Sequence, residues 1–356
     1  MPTVSIDTFF ACSLMVLLVL SAMAATSKVL YPYINNNVFD ENVGEKFREI
    51  SKYLLLNDGK PSNWGQNGQT IPEIFGLAKD DSDNSYELDI DKVSRLNDEN
   101  IYALSYAQLF TALGLPDTSF RIEIKPIFEV TINLTATYAY ENETVYQFQI
   151  STDKYGFPVQ AELKCYVVAE NYLETANAQC LNGGAYLNIT LPNDVNGPAI
   201  LIVLARALCE SKAFSFDAYT FAHNSEEPKA KGTFLKLSPI NYTLNVTFNY
   251  PETVLSRAYA FAFNYSSALT QATSGDQSAT YGISHFLDPS PTVIVITGWN
   301  SSSFFSEWTA YPQIPIQKGV DFTEATNFSG VYTYRYVVTI NSALYECRVW
   351  LGGPEK

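Results

Sequence analysis

Eight asparagines of this 356-residue chain stand in Asn-x-Ser/Thr sequons, the acceptor pattern for N-linked glycans. They are Asn133, Asn142, Asn188, Asn241, Asn245, Asn264, Asn300 and Asn327, all beyond residue 118. The composition of that region predicts only about three such sites by chance. A glycan needs a solvent-exposed side chain, so the sequons predict a glycosylated outer surface. The alternative is that threonine favours exposed strand faces and asparagine accompanies it.

The cysteines suggest a second kind of chemistry. Cys12 lies in an apolar N-terminal segment, which leaves Cys165, Cys180, Cys209 and Cys347 in the rest of the chain. Four cysteines on an exported protein are suited to two disulfides, with three connectivities. Cys165 with Cys180 is the local pairing, and Cys209 with Cys347 would be the second. Four buried thiols are the alternative.

Motifs for other chemistry are missing from the sequence. It contains no GxSxG, P-loop, GxGxxG or HExxH pattern. His223 and His285 are the only histidines, and each is expected to be a surface or packing residue. We therefore predict that the protein is not an enzyme and has no catalytic residues, no cofactor and no metal site.

The acidic segment 80–92 is the nearest approach to a metal-binding pattern. It departs from the EF-hand sequence at the required glycine and at the final glutamate. A looser calcium site using Asp81, Asp83 and Asp89 and a solvated loop are the two interpretations.

Composition and charge narrow the class of protein. The chain is 47% hydrophobic and 14% aromatic, with only 17% charged residues, which is typical of a folded protein with substantial cores. Its formal net charge of -15 has the wrong sign for binding phosphate backbones. Nucleic acid is therefore excluded as a main partner.

The N-terminal segment predicts a membrane anchor. Residues 8–27 carry no charge, and at about 1.5 Å per residue a helix of this length spans a bilayer core. A signal peptide cut after Ala24 is the alternative. No lysine or arginine precedes Lys28, which disfavours that alternative, so we predict a transmembrane helix over residues 1–27. Membrane lipid would then be a partner.

The stretch VSIDTFFACSLMVLLVLSAMA resembles the start of archaeal type IV pilin-like proteins. If the mature chain began at Thr3, Asp7 would be its fifth residue, where that family usually has glutamate. The resemblance covers about the first 55 residues. It implies that Asp7 acts in assembly by pairing with the N-terminal amine of a neighbouring subunit. The alternative is that Asp7 lies in interfacial water at the helix N-terminus, where the helix dipole favours an anion.

Residues 28–118 are predicted to form a mostly helical membrane-proximal module. Within residues 38–56, Phe39, Val43, Phe47, Ile50 and Leu54 follow the spacing of an amphipathic helix. A short helix is expected at KVSRL, and a capping box at Ser105 should begin another helix that ends near Gly114.

From residue 119 the hydrophobic period changes to two. Segments such as 128–135, 187–191 and 244–248 alternate apolar and polar residues, as half-buried strands do. The apolar runs 199–205 and 292–297 predict strands covered on both faces. A faint repeat relates VTINLTATY (130–138) to YTLNVTFNY (242–250), with duplication and chance as the alternatives.

The predicted fold is mainly β. An N-terminal transmembrane helix and a small helical module precede two immunoglobulin-like β-sandwich domains, at residues 119–226 and 227–356. The predicted function is that of a structural or adhesive cell-surface glycoprotein, either a pilin-like subunit or a single-pass anchored protein whose large C-terminal region is extracellular. Its partners would be copies of itself or other surface proteins. The alternative is a membrane-anchored ligand-binding module, such as a sensor or a carbohydrate-binding protein.

Overall fold

The computed structural model describes residues 15, 16, 18, 19, 21, 23, 43–322 and 328–354. Most of the predicted transmembrane segment 1–27, including Asp7, lies outside these residues, as does Asn327. Across the described part of the chain, no helix is both long enough and apolar enough to cross a membrane. The chain divides into two compact units, Met1–Ser51 and Lys52–Lys356, and the sheets belong to the second.

Residues 43–56 are helical, and Phe47 and Leu54 of the predicted apolar stripe are buried. Helix α1 (Ile90–Ser94) begins at Asp89, whose carboxylate accepts the backbone N–H groups of Asp91 and Lys92. Helix α2 (Tyr106–Leu113) begins at the predicted capping box of Ser105 and Gln108. It ends at Gly114, whose left-handed conformation (φ 69°) suits glycine.

The segments between these helices are turns and loops rather than further helix. They are held by buried side chains that donate to backbone carbonyls. Lys92 is fully buried, and its Nζ donates to the carbonyl oxygens of Asp58 (2.8 Å) and Ala78 (2.7 Å). The Trp64 indole N–H donates to the Gly76 carbonyl at 3.1 Å. We call residues 57–118 the base. They form an ordered loop structure around two short helices.

Strands β1 (Glu87–Leu88) and β2 (Ser119–Pro126) also belong to this base, and strands β3–β10 follow. In chain order, β3–β10 are Glu129–Ala139, Glu143–Lys154, Phe157–Pro158, Ala161–Ala169, Tyr172–Cys180, Gly184–Pro192, Ala199–Ala207 and Phe214–Phe221. Sheet A contains β3, β4, β5 and β8, and sheet B has the order β10-β9-β6-β7. Sheets A and B enclose one hydrophobic core and together form the first sandwich. The alternating residues Val130, Ile132, Leu187 and Ile189 contribute to this core.

Strands β11–β18 form a second pair of sheets. They are Leu235–Ile240, Thr243–Phe248, Thr253–Phe261, Ser266–Ala268, Gln271–Gly275, Ser278–Gly282, Thr292–Asn300 and Ser303–Tyr311. Sheet C has the order β14-β13-β17-β18, and sheet D has the order β11-β12-β16-β15. Sheets C and D together form the second sandwich, in which Leu244 and Val246 of sheet D share a core with Ile294 and Ile296 of sheet C.

Sheets B and C also pack against each other through their outer faces. Ile202 of β9 and Val295 of β17 are fully buried, although neither belongs to the core of its own sandwich. Tyr166 of sheet B lies 4.6 Å from Phe261 of sheet C, between ring centroids, and donates to the Ala262 carbonyl at 3.0 Å. The four sheets therefore stack in the order A, B, C, D. This stacking explains the unbroken apolar runs of β9 and β17, because both strands are covered on two faces.

The final strands return to the base. Strands β19 (Ile316–Gly319), β20 (Phe328–Ile340) and β21 (Ala343–Pro354) join β1 and β2 in one sheet with the order β1-β20-β21-β2-β19. This arrangement differs from the sequence-based division, which placed residues 227–356 in one sandwich and 28–118 in a separate helical module. The physical reason is strand pairing: β2 forms an antiparallel ladder with β21 from Ser119–Gly352 to Pro126–Tyr345. The base is consequently built from two distant parts of the chain.

Candidate functional site

Most of the sequon asparagines are exposed. Among the seven that the structure describes, the side chains of Asn133, Asn142, Asn188, Asn241 and Asn264 are exposed. Asn245 and Asn300 are half-buried. Strand alternation places Asn133 and Asn188 on the face of sheet A opposite the core residues Ile132 and Ile189. These two side chains are therefore accessible for attachment of a glycan.

The cysteines do not form the predicted bridges, and Cys165, Cys180, Cys209 and Cys347 are all free thiols. In the β6–β7 ladder, Cys165 is opposite Ala176 and Cys180 is opposite Ala161. The two cysteines are thus four register positions apart, about 13 Å along the strands, whereas a disulfide needs Cα atoms within about 7 Å. Burial raises the pKa of Cys165 to about 12, which keeps it a protonated, unreactive thiol.

The two histidines have packing roles. His223 is buried, with its Nδ1 2.9 Å from the Tyr146 hydroxyl and its Nε2 3.0 Å from the Pro192 carbonyl oxygen. His285 stacks on Tyr242 with ring centroids 3.5 Å apart. Within the described residues, no group of three or more His, Cys, Asp or Glu side chains could hold a metal ion. Asp89, considered for a calcium site, is the N-cap of α1.

One concave region surrounds Trp308 of β18. Two adjoining clefts of about 260 and 300 Å³ share Glu99, Lys231, Trp308 and Thr309 in their walls. The Lys231 ammonium lies 4.2 Å from the centroid of the Trp308 ring and forms an ion pair with Glu99 at 2.7 Å. The Lys231–Glu99 pair therefore separates the two clefts, above an aromatic ring that is half-buried.

A buried carboxylate positions Lys231. Glu307 accepts the backbone N–H of Gly232 at 2.6 Å and that of Phe234 at 3.0 Å. Burial raises the pKa of Glu307, although these two hydrogen bonds oppose the increase. Because the backbone that follows Lys231 is fixed at these two amides, Lys231 is held beside Trp308. The carboxylate of Glu99 and the ammonium of Lys231 beside this ring could hydrogen-bond to the hydroxyls of a sugar.

A larger cleft of about 670 Å³ lies where sheets B and C separate. Its lining includes Glu162 and Lys164 of β6, Asn177 and Gln179 of β7, Arg206 of β9, and Phe263 and the sequon residue Asn264 of the second sandwich. Arg206 forms an ion pair with Glu162 and lies 4.6 Å from the centroid of the Phe263 ring. Of the predicted site residues that the structure describes, only Asn264 lines this cleft.

Sequence patterns did not identify either concave region. Trp308 lies in a strand with many aromatic residues, and Arg206 ends an apolar run, so neither has a distinguishing neighbour in the sequence. The only local signal for the larger cleft is the sequon at Asn264. Both regions arise from segments that are far apart in the chain.

No protein-family model and no curated protein matches the chain. Among solved structures, HBP35 of Porphyromonas gingivalis aligns with 51% of this chain and 63% of its own length, at 12% identity and a TM-score of 0.18. The alignment thus spans less than two thirds of that protein.

Proposed function

We propose that the protein is a structural or adhesive cell-surface glycoprotein. The observation that carries this proposal is the position of the sequons: all eight follow residue 118, and five of the seven described asparagine side chains are exposed. A chain selected only to fold would not need this excess of sequons on solvent-facing positions.

The stacked sheets are suited to a structural role. Tyr166–Phe261, Phe214–Phe263 and Phe216–Trp308 are ring contacts that join the first sandwich to the second. An aromatic interface of this kind resists domain motion better than a flexible linker does. In this proposal residues 1–27 attach the protein to the cell, as a single-pass anchor or as the assembling helix of a pilin-like subunit.

The test combines location with modification. The native host's protein should remain with membranes or filaments after washing at high salt and high pH, because burial of the apolar N-terminal segment does not depend on ionic contacts. On intact cells a membrane-impermeant amine reagent should label exposed Lys154. Glycopeptide mass analysis should find glycans on several of the exposed sequons.

Each readout also has an outcome that contradicts the proposal. Unlabelled Lys154 in intact cells, with labelling after lysis, would place the sheets inside the cell. Bare asparagine at every sequon would remove the observation on which the proposal rests. Release of the protein by the washes would contradict attachment through residues 1–27.

A ligand-binding module is the second candidate function, and the Trp308 clefts favour it. If sugars bind there, calorimetric titration of the full-length protein with a panel of neutral mono- and oligosaccharides should detect binding that Trp308→Ala abolishes. Trp299→Ala is the matched control, because Trp299 is also half-buried but does not line these two clefts. Absence of binding by the wild type, or equal binding by Trp308→Ala, would count against this candidate.

A further inference from the structure

The outer face of sheet B changes from apolar to polar along its strands. Tyr166 and Ile202 are apolar or aromatic side chains on this face, and sheet C covers them. Further along β6 the same face carries Glu162 and Lys164, which are only half-buried. Sheet C does not close over this polar part, and the cleft of about 670 Å³ lies there.

The floor of the cleft is suited to a ligand rich in hydroxyl and amide groups. Glu162 and Arg206 supply a carboxylate and a guanidinium, and Asn177 and Gln179 supply amides that both donate and accept hydrogen bonds. The volume lies within the range of about 300–1,000 Å³ that is typical of ligand sites. A polar floor of this kind gives an apolar ligand little to bind, whereas a saccharide can hydrogen-bond to all four side chains.

Asn264 is held at the rim of this cleft by its backbone. It lies in the turn between β13 and β14, in which the Ala262 N–H donates to the Tyr265 carbonyl at 2.8 Å. The Asn264 N–H donates to the buried Asp288 carboxylate at 2.8 Å, and the Phe263 N–H donates to the Ser290 hydroxyl at 2.8 Å. Asp288 and Ser290 thus hold the backbone of the turn, while the Asn264 side chain is exposed and lines the cleft.

We propose that the N-linked glycan on Asn264 occupies this cleft, where its first sugars bind the polar face of β6 and β7 and join the two sandwiches. The inference rests on the proposed function, because it requires glycosylation. It goes further by giving one sequon a role within the fold. The other exposed asparagines of the sheets, such as Asn133 on sheet A, carry glycans that extend into solvent.

The test uses Ser266, the third residue of the Asn264 sequon, which is exposed at the start of β14. Ser266→Ala removes the sequon and leaves Asn264 in place, whereas Ser266→Thr keeps the sequon and is the matched control. Asn133→Gln removes a glycan that faces solvent. All forms are expressed in the native host, and glycopeptide analysis establishes which sites are occupied.

The main readout is the rate at which Lys164, on the floor of the cleft, reacts with an amine reagent. A glycan in the cleft shields this side chain, so Ser266→Ala should raise the rate several-fold relative to the wild type and to Ser266→Thr. Asn133→Gln should leave it unchanged, and Lys154, which is exposed elsewhere, should react equally in all forms. Hydrogen exchange of β6 and β7 should rise in Ser266→Ala alone.

The outcomes separate this inference from the proposed function. Glycans on other sequons with none on Asn264 would overturn the inference and leave the proposed function intact. Bare asparagine at all eight sites would overturn both. An occupied Asn264 with equal Lys164 labelling in Ser266→Ala and Ser266→Thr would show that the glycan lies outside the cleft.

Discussion

Arg95→Met should lower the free energy of unfolding by about 3–5 kcal/mol, because several buried backbone carbonyls lose their hydrogen-bond donor. The Arg95 side chain is almost completely buried, beside Trp64, with its guanidinium carbon 5.5 Å from the centroid of that ring. It donates hydrogen bonds to the backbone carbonyls of five residues of the base: Trp64, Asn67, Gly68, Thr70 and Tyr102.

Methionine fills much of the volume of the arginine stem but donates no hydrogen bond. The five carbonyl oxygens would lose this donor in a site that water does not reach freely, and each buried unsatisfied acceptor costs about 1–3 kcal/mol before the loop relaxes. Arg95→Lys should fall between the wild type and Arg95→Met, because an ammonium group has three donors and cannot reproduce the planar guanidinium geometry.

The measurement is urea unfolding followed by circular dichroism, with limited proteolysis of residues 57–80 as a local readout. Arg257→Met is the matched control, since Arg257 is exposed on β13, and it should change stability by less than about 0.5 kcal/mol. Equal unfolding midpoints for Arg95→Met and Arg257→Met would show that Arg95 does not organise the base.

Asp91→Asn should remove the contribution of Asp91 to the pH dependence of stability between about pH 4 and pH 6. Asp91 is buried in α1, where its Oδ1 accepts the Tyr311 hydroxyl at 2.7 Å and the Asn241 N–H at 2.7 Å. Burial raises the pKa of Asp91 from 3.8 to about 6, against the opposing effect of these hydrogen bonds.

The sign follows from proton binding in the folded and unfolded states. Between pH 4 and pH 6 the folded protein retains the Asp91 proton, whereas the unfolded chain has released it. The contribution of Asp91 to the free energy of unfolding therefore falls as the pH rises through this range, by about 3 kcal/mol for a pKa difference of this size. Asparagine has no such proton, and its side-chain oxygen can still accept from Tyr311 and Asn241.

The difference in stability between Asp91→Asn and the wild type should therefore grow in favour of the variant from pH 4 to pH 6. Glu87→Gln is the control. Burial alone would raise the pKa of Glu87, but hydrogen bonds from Lys79, Ser82 and Asn84 outweigh it and lower the pKa to about 2. The contribution of the Glu87 carboxylate to the free energy of unfolding is therefore lost only as the pH falls from about 4.5 to 2. A constant difference between Asp91→Asn and the wild type across pH 4–6 would contradict the assignment.

The burial of Arg95 and Asp91 could not be predicted from the sequence. The segment around KVSRL predicts a short helix, and the structure has α1 at Ile90–Ser94. Nothing in the segment marks Arg95 or Asp91 as buried, because charged residues in a short helix are normally solvated. Their partners are carbonyls, an amide and a hydroxyl contributed by distant loops and strands, which no spacing in the sequence reveals.

The sequence by itself determined the structural elements that depend on interactions between residues close together in the chain. The alternation of Val130 and Ile132 with polar residues marks one buried strand face, and the capping box of Ser105 and Gln108 begins α2. The apolar run of β9 predicts burial on both faces, and the structure confirms it. Each of these features depends on the side-chain period or on neighbours within a few residues, so it can be read from one segment.

Only the tertiary structure decided which strands are neighbours. The period of β21 shows that it is a strand but does not select β2 as its partner, because every strand presents the same backbone donors and acceptors. The same limit applies to Cys165 and Cys180, which are close in sequence but four register positions apart in the ladder. It also applies to the cleft beside Asn264, which exists because two sheets formed from separate parts of the chain pack together and then diverge.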